Sequence, residues 1–129
     1  PGAHTSTFQG NPIACAVACA TLREIENSKL IEHVSNSIAL CFGKLKDDLI
    51  SNDFVKDVRF VGAQCAIEFN NSVTANWVQK LALSQAKLLT YGGGRKGECV
   101  LLLPPINIDE NTLQNALTSL LEIISQGLP

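Results

Sequence analysis

Blocks of apolar residues at helical spacing alternate along the chain with short β-rich runs, and the spacing of each block predicts its element. "IACAVACATL", Ile13 to Leu22, is apolar on almost every side, which predicts a helix buried on several sides. Pro12 fits its first turn, where a missing N–H costs nothing, and Asn11 is placed to cap it. Val34, Ile38, Phe42, Leu45 and Leu49 line one stripe of a second helix, which "SND" then breaks. "VKDVRFVG" and "AQCAIEFN" are short and β-rich, and read as two strands or one bent strand parted at Gly62-Ala63. Trp77, Val78, Leu81, Ala82, Leu88 and Leu89 predict a third helical stripe, "YGGGRKGE" a turn, and "CVLLLPP" a buried strand halted by two prolines that cannot donate to a ladder. The final helix carries Leu113, Ala116, Leu117, Leu120, Leu121 and Ile124 behind Asp109 as N-cap. Ile108 and Leu113 stand where a hydrophobic staple needs them, and Gly127 suits the C-terminal stop.

The order ααββαβα predicts an α+β fold in which a small, mostly antiparallel sheet packs against helices. At 129 residues the chain reads as one domain with a core of its own, able to bury roughly two thirds of its unfolded surface. The sequence holds no internal repeat and no low-complexity tract.

Charge and cysteine content narrow the classes. The net charge of −2 comes from scattered acids and bases, so no run offers itself to nucleic acid, and aromatic stacking platforms are absent. No apolar stretch reaches membrane-spanning length, and the first residues lack the pattern of a signal peptide. The expectation is a soluble, cytoplasmic protein with neither a nucleic-acid nor a membrane partner. Cys15, Cys19, Cys41, Cys65 and Cys99 are odd in number, sit in apolar segments and show no C-x-x-C spacing, which predicts buried thiols in a reducing compartment. The chain starts on Pro1-Gly2 and not on Met, and the expectation is that residues upstream have been removed.

Few residues carry chemistry by themselves. His4 and His33 fall in different segments, so no metal site is predicted. Cys15 and Cys19, four apart on one helix face, read as small apolar residues. No Ser/His/Asp or Cys/His constellation assembles, so no catalytic residue is assigned. "YGGGRKGE" lacks the spacing of a phosphate-cradling loop and precedes a strand, so it reads as a hairpin turn, with Arg95 and Lys96 as contacts for an anionic group. "HTSTFQGNP", His4 to Pro12, sets hydroxyls and backbone N–H groups just ahead of a helix N-terminus. That is either an anion site or a loop of capping residues.

These segments together resemble the class III pyridoxal-phosphate-dependent aminotransferases, such as the ornithine, 4-aminobutyrate and diaminobutyrate enzymes. "PGAHTSTFQGNPIACAVACATLREIE" is similar to the family segment H-x-[ST]-T-[FY]-x-G-N-P and the long helix after it. "VKDVRFVGAQCAIEF" resembles its V-x-D-V-R-G-x-G strand pair, and "GGGRKGECVLLLPPINIDENTLQNAL" its last hairpin and helix, most closely in the diaminobutyrate type. The resemblance covers about the final third of a family enzyme. It implies the C-terminal small domain of a fold-type I enzyme, with residues 1–12 as a cofactor-site loop belonging to the large domain and dimer interface. Residues 13–129 would be the small domain including its long linking helix. It implies further that Ser6 and Thr7 reach the phosphate of the cofactor, pyridoxal phosphate, in the partner subunit of a homodimer. The reaction implied is transfer of an amino group from an amine or diamino acid, diaminobutyrate-like, to a 2-oxo acid.

The same resemblance marks departures. None of Lys29, Lys44, Lys46, Lys56, Lys80, Lys87 or Lys96 sits in the family's Schiff-base lysine motif, so the chain alone is expected to be inactive. Phe60 stands where the family has glycine after the arginine, which predicts altered strand geometry there. Leu101 stands where many members carry an arginine that holds the carboxylate of 2-oxoglutarate or glutamate; Arg95, in the turn before that strand, is the nearest substitute in sequence. The alternative is a non-catalytic binding or dimerisation module that kept the fold.

Overall fold

A computed structural model describes residues 6–127. His4 and Thr5, the first residues of the hydroxyl-rich loop, lie outside the described residues. The helix α1 spans Pro12–Asn27, with Asn11 Oδ1 accepting from the Ile13 and Ala14 amides at 2.9 and 3.2 Å. A short α2, Leu30–His33, runs through a π-helical segment, Val34–Ile38, into α3, Ala39–Leu49. The strands β1 (Val55–Val61) and β2 (Gln64–Phe69) lead to α4, Ser72–Ala86. Two more strands, β3 (Tyr91–Gly93) and β4 (Cys99–Leu102), precede α5, Glu110–Ser125.

All three strand pairings are antiparallel and the sheet order is β1-β2-β4-β3, so the predicted α+β architecture is the observed one. Alternation along the strands sends Val58, Ile67, Phe69, Val100 and Leu102 into the core. There they meet Phe42, Leu45 and Leu49 of α3, Val78 and Ala82 of α4, and Leu113, Leu117, Leu120, Ile123 and Ile124 of α5. Full burial of one such side chain is worth about 1.5–3 kcal/mol. The opposite face of the sheet carries Arg59, Ala66 and Leu101 and meets no helix of the core cluster.

The caps of the last two helices explain their starts. Asn71 Oδ1 accepts from the Thr74 amide at 2.9 Å, and Asp109 Oδ1 from the Thr112 amide at 2.9 Å. Leu113 is buried and Ile108 packs on the core, as the staple requires. Gly127 takes a positive φ of 70° after α5, the left-handed stop that glycine allows without strain.

Four expectations need correction. The helix from Ile13 to Leu22 is not buried; α1 has no buried residue, and Ile13, Val17 and Leu22 are exposed by 76%, 60% and 61%. Cys15 and Cys19 are exposed with it, while Cys41, Cys65 and Cys99 are buried as expected. Leu88 and Leu89 are not helical: Lys87 adopts a left-handed φ of 57° that ends α4, and the Leu88 amide turns back to Ala82 O at 2.9 Å. Leu88 still packs on the core, so its spacing reported burial and not helix. Phe60 leaves β1 undisturbed; it pairs in register with Cys65, its ring lies 6.1 Å from that of Phe42, and the strand's irregularity falls at Val55/Asp57.

Candidate functional site

The loop ahead of α1 is a compact turn. The Gln9 amide donates to Ser6 O and the Asn11 amide to Phe8 O, both at 3.1 Å, with Gly10 at a φ of 76° that only glycine adopts freely. Because Asn11 takes the first free amides of α1, the helix end is already satisfied by its own cap. The hydroxyls are what remain for a ligand. Ser6 Oγ accepts weakly from the Phe8 amide at 3.4 Å, which leaves its O–H hydrogen to point elsewhere, and Thr7 is exposed. Two adjacent, rotatable O–H donors beside a capped helix fit a phosphate dianion. Among the described residues Asn11 is the cap, and the Ser6 and Thr7 hydroxyls take no part in it.

Arg95 and Lys96 occupy the tight turn from Gly94 to Gly97 that joins β3 to β4, the hairpin expected from "YGGGRKGE". Glu98 Oε2 accepts from the Lys96 amide at 2.7 Å, and its own backbone amide, followed by that of Lys96, holds the Glu98 carboxyl below its ordinary range. The turn borders a cleft with Lys56, Glu68, Asn71 and Ser72 at the start of α4. Leu101 lines a different hollow, and Arg95 is not part of it.

Arg59 lines the same hollow as Leu101, two strands away. Strand register places Arg59 opposite Ala66, and Ala66 opposite Leu101. Arg59 Nη1 donates to Glu68 Oε2 at 2.6 Å and to Asp57 Oδ2 at 2.8 Å, and Lys56 also binds Glu68. Hydrogen bonds from Lys56 and then Arg59 hold the Glu68 carboxyl below its usual value, and Arg59 does the same for Asp57. Both cations are stabilised in return. The sequence showed Arg59 only as part of a strand pattern; strict alternation in β1 and β2 was the available signal that it shares a face with Ala66.

Among the described residues no group of three or more His, Cys, Asp or Glu side chains could hold a metal ion. No helix among them is long and apolar enough to cross a membrane. His33 serves structure, with Nε2 donating to Ile108 O at 2.8 Å.

A family model described as aminotransferase class-III matches residues 1–124. The acetylornithine aminotransferase of Oceanobacillus iheyensis is 34% identical over 123 residues, covering 95% of this chain and 30% of that protein. The 4-aminobutyrate aminotransferase of Mycobacterium leprae is 35% identical, covering 92% and 28% respectively. Among solved structures, the ornithine aminotransferase of Plasmodium yoelii superposes with a TM-score of 0.84 at 30% identity, over 98% of this chain and 34% of that one. The acetylornithine aminotransferase of Elizabethkingia anophelis gives 0.82 at 33% identity, over 98% and 31%. The chain thus spans about a third of the length of the relatives it matches.

Proposed function

Because the chain belongs to the class-III aminotransferase family, we propose that it is the C-terminal small domain, with its leading cofactor loop, of a homodimeric pyridoxal-phosphate-dependent aminotransferase. The observation that carries this reading is α1. A 16-residue helix whose run from Ile13 to Leu22 is apolar nearly all round has no buried residue, and the hydroxyls of Ser6 and Thr7 precede it. Such a surface asks for cover, and α1 reads as the helix that links this domain to a larger body.

Ser6 and Thr7 would hold the phosphate of the cofactor across the dimer interface. When bound, pyridoxal phosphate supplies an electron sink for the carbon bearing the amino group. The residues of this chain bind and orient; the lysine that would attach the cofactor is not among its seven, so the chain alone is inactive. The amino donor would be an amine or diamino acid such as diaminobutyrate, and the acceptor a 2-oxo acid. Arg95, exposed at the hairpin, remains a substrate-binding candidate. Free thiols at all five cysteines support a reducing compartment, and we place the protein in the cytoplasm. Leu101, apolar where a carboxylate would need a cation, favours the second reading, a non-catalytic binding or dimerisation module.

The test is to express the full-length gene product and assay amino transfer from diaminobutyrate, ornithine, acetylornithine and 4-aminobutyrate to pyruvate and 2-oxoglutarate. Turnover with at least one donor, from a protein that light scattering shows to be dimeric, is expected, with none from the 129-residue chain. Cofactor-loaded full-length protein that transfers from no donor would favour the non-catalytic module instead.

A further inference from the structure

The tip of the β3–β4 hairpin, Arg95-Lys96, is held in a fixed shape by its neighbours. Gly94 and Gly97 flank it with φ of 85° and 75°, and the Gly97 amide closes the turn on Gly94 O at 3.4 Å. The Glu98 carboxylate curls back beneath the tip, where Oε2 accepts from the Lys96 amide at 2.7 Å. It fills the space that a side chain at position 94 would need, since a Cβ there would come within 2.7 Å of the Glu98 carboxyl carbon. Glycine at 94 thus serves twice, for its left-handed backbone and for the room it leaves. Among the described residues neither the Arg95 nor the Lys96 side chain has a hydrogen-bond or ion-pair partner.

Both cations line a cleft of about 430 Å³ that also takes in Lys56, with Asn71 and Ser72 at the start of α4. Two carboxylates line it as well, and both are already engaged. Glu68 binds Lys56 through Oε1 and Arg59 through Oε2, and Glu98 holds the turn amide. With the paired Arg59 and Asp57 included, the four cations Lys56, Arg59, Arg95 and Lys96 stand against the three acids Asp57, Glu68 and Glu98. The surplus sits at the hairpin tip. The chain as a whole carries a net charge of −2, so this local excess comes from placement and not from composition. A guanidinium fork and two ammonium groups suit phosphoryl oxygens, which accept from several directions, better than a planar carboxylate, which a single fork satisfies.

We propose that this cleft binds a small molecule carrying two adjacent phosphoryl groups, held by Arg95 and Lys96 of the hairpin together with Lys56 of β1. None of the lining residues belongs to the loop of Ser6 and Thr7. The inference goes beyond the aminotransferase reading, and its test reads binding and not turnover.

The experiment is calorimetric titration of the full-length protein, purified with its cofactor bound, using pyrophosphate and ADP as probes and 2-oxoglutarate as a carboxylate control. Saturable binding of pyrophosphate is expected, weakening as salt is raised. Tighter binding of ADP would identify an organic phosphate ester as the ligand, and equal affinities the inorganic group; both support the site. Replacing Arg95 and Lys96 together by alanine should weaken binding by about tenfold or more. Glu98→Gln keeps an oxygen for the Lys96 amide but removes a negative charge from the cleft, so it should tighten binding by about twofold or more. Lys80→Ala, on α4 and outside the cleft, controls for overall charge. Absence of saturable binding, unchanged binding in either hairpin variant, or an equal loss from Lys80→Ala would overturn the site. So would a loss that follows Ser6→Ala with Thr7→Ala and not the hairpin. If 2-oxoglutarate binds as tightly as pyrophosphate, the phosphate site is wrong and Arg95 returns to the substrate.

Discussion

His33 Nε2 lies 2.8 Å from the carbonyl oxygen of Ile108, a hydrogen bond between residues 75 apart in sequence. A carbonyl only accepts, so Nε2 carries the proton. The bond joins two points that need fixing: the end of α2, where the chain enters its π-helical segment, and the residue just before the Asp109 cap of α5.

His33→Ala should therefore destabilise the fold by about 0.5–1.5 kcal/mol, the usual worth of one such bond. The thermal midpoint should fall by a few degrees, roughly 2–8 °C for a chain of this size. A midpoint equal to that of wild type would show that the loop before α5 is held by Ile108 and Leu113 packing alone.

What was legible in the sequence follows from the range of each signal. The caps Asn11 and Asp109 and the stop at Gly127 act within four residues, and the structure has them where local chemistry puts them. The stripes of α3 and α5 were legible because one face of each is buried by this chain. The burial expected for α1 failed for the opposite reason: none of the described residues covers its apolar run. Strand β3 was missed because Tyr91-Gly92-Gly93 has almost no side chains to pattern, and its pairing comes from β4. Arg59 was seen only as a strand residue, since its place on one face with Glu68, Ala66 and Leu101 depends on the register of three strands.

The exposure of α1 gives the five thiols two behaviours. Cys15 and Cys19 are exposed, whereas Cys41, Cys65 and Cys99 are buried, and burial pushes the Cys65 thiol up to about 12. Only thiolate reacts readily with disulfide reagents. Titrating the 129-residue chain with such a reagent at neutral pH should modify Cys15 and Cys19 quickly and the others only on unfolding. In the full-length protein both fast thiols should become protected if α1 is a linking helix. Equal reactivity of the pair in the two forms would refute that role.

Acid should weaken the open face of the sheet first. The Glu68 carboxyl is held below its ordinary 4.5 by Lys56 and Arg59, and Asp57 below its ordinary 3.8 by Arg59. A carboxyl depressed by folding stabilises the folded state fully above its unfolded value and loses that contribution as pH falls through the folded one. The thermal midpoint of wild type should thus decline as pH drops below 4.5, and Glu68→Gln should decline less over the same span. Parallel curves would mean that the Lys56–Glu68–Arg59 cluster adds nothing through its charges.

In the full-length enzyme the loop hydroxyls should govern how tightly the cofactor is kept. A hydrogen bond to a charged group is worth about 1.5–3 kcal/mol, so Thr7→Ala should weaken cofactor binding by roughly tenfold or more, and Ser6→Ala should add to that. Asn11→Ala serves as the contrast, because Asn11 caps α1 and its loss should lower stability before it touches cofactor affinity. Equilibrium dialysis of the cofactor against each variant gives the comparison; a Ser6 and Thr7 double alanine variant that keeps wild-type affinity would leave the loop with capping as its whole function.

Phe60 and Phe42 make the last case, because a bulky residue stands here, where the family resemblance implies glycine, without bending the strand. Their rings sit 6.1 Å apart at 52°, inside the range where tilted aromatic pairs gain about 0.5–1.5 kcal/mol beyond their buried area. Phe60→Gly would remove the ring and loosen the unfolded chain as well, since glycine carries more backbone entropy into the denatured state. Phe60 is only partly buried, so the loss should fall below the roughly 3–5 kcal/mol of a fully buried phenylalanine, at about 2–3 kcal/mol. Phe60→Leu should recover much of it by refilling the space over Phe42. Chemical denaturation reads both values, and a Phe60→Gly variant as stable as wild type would mean that the aromatic pair is incidental and that the strand tolerates glycine.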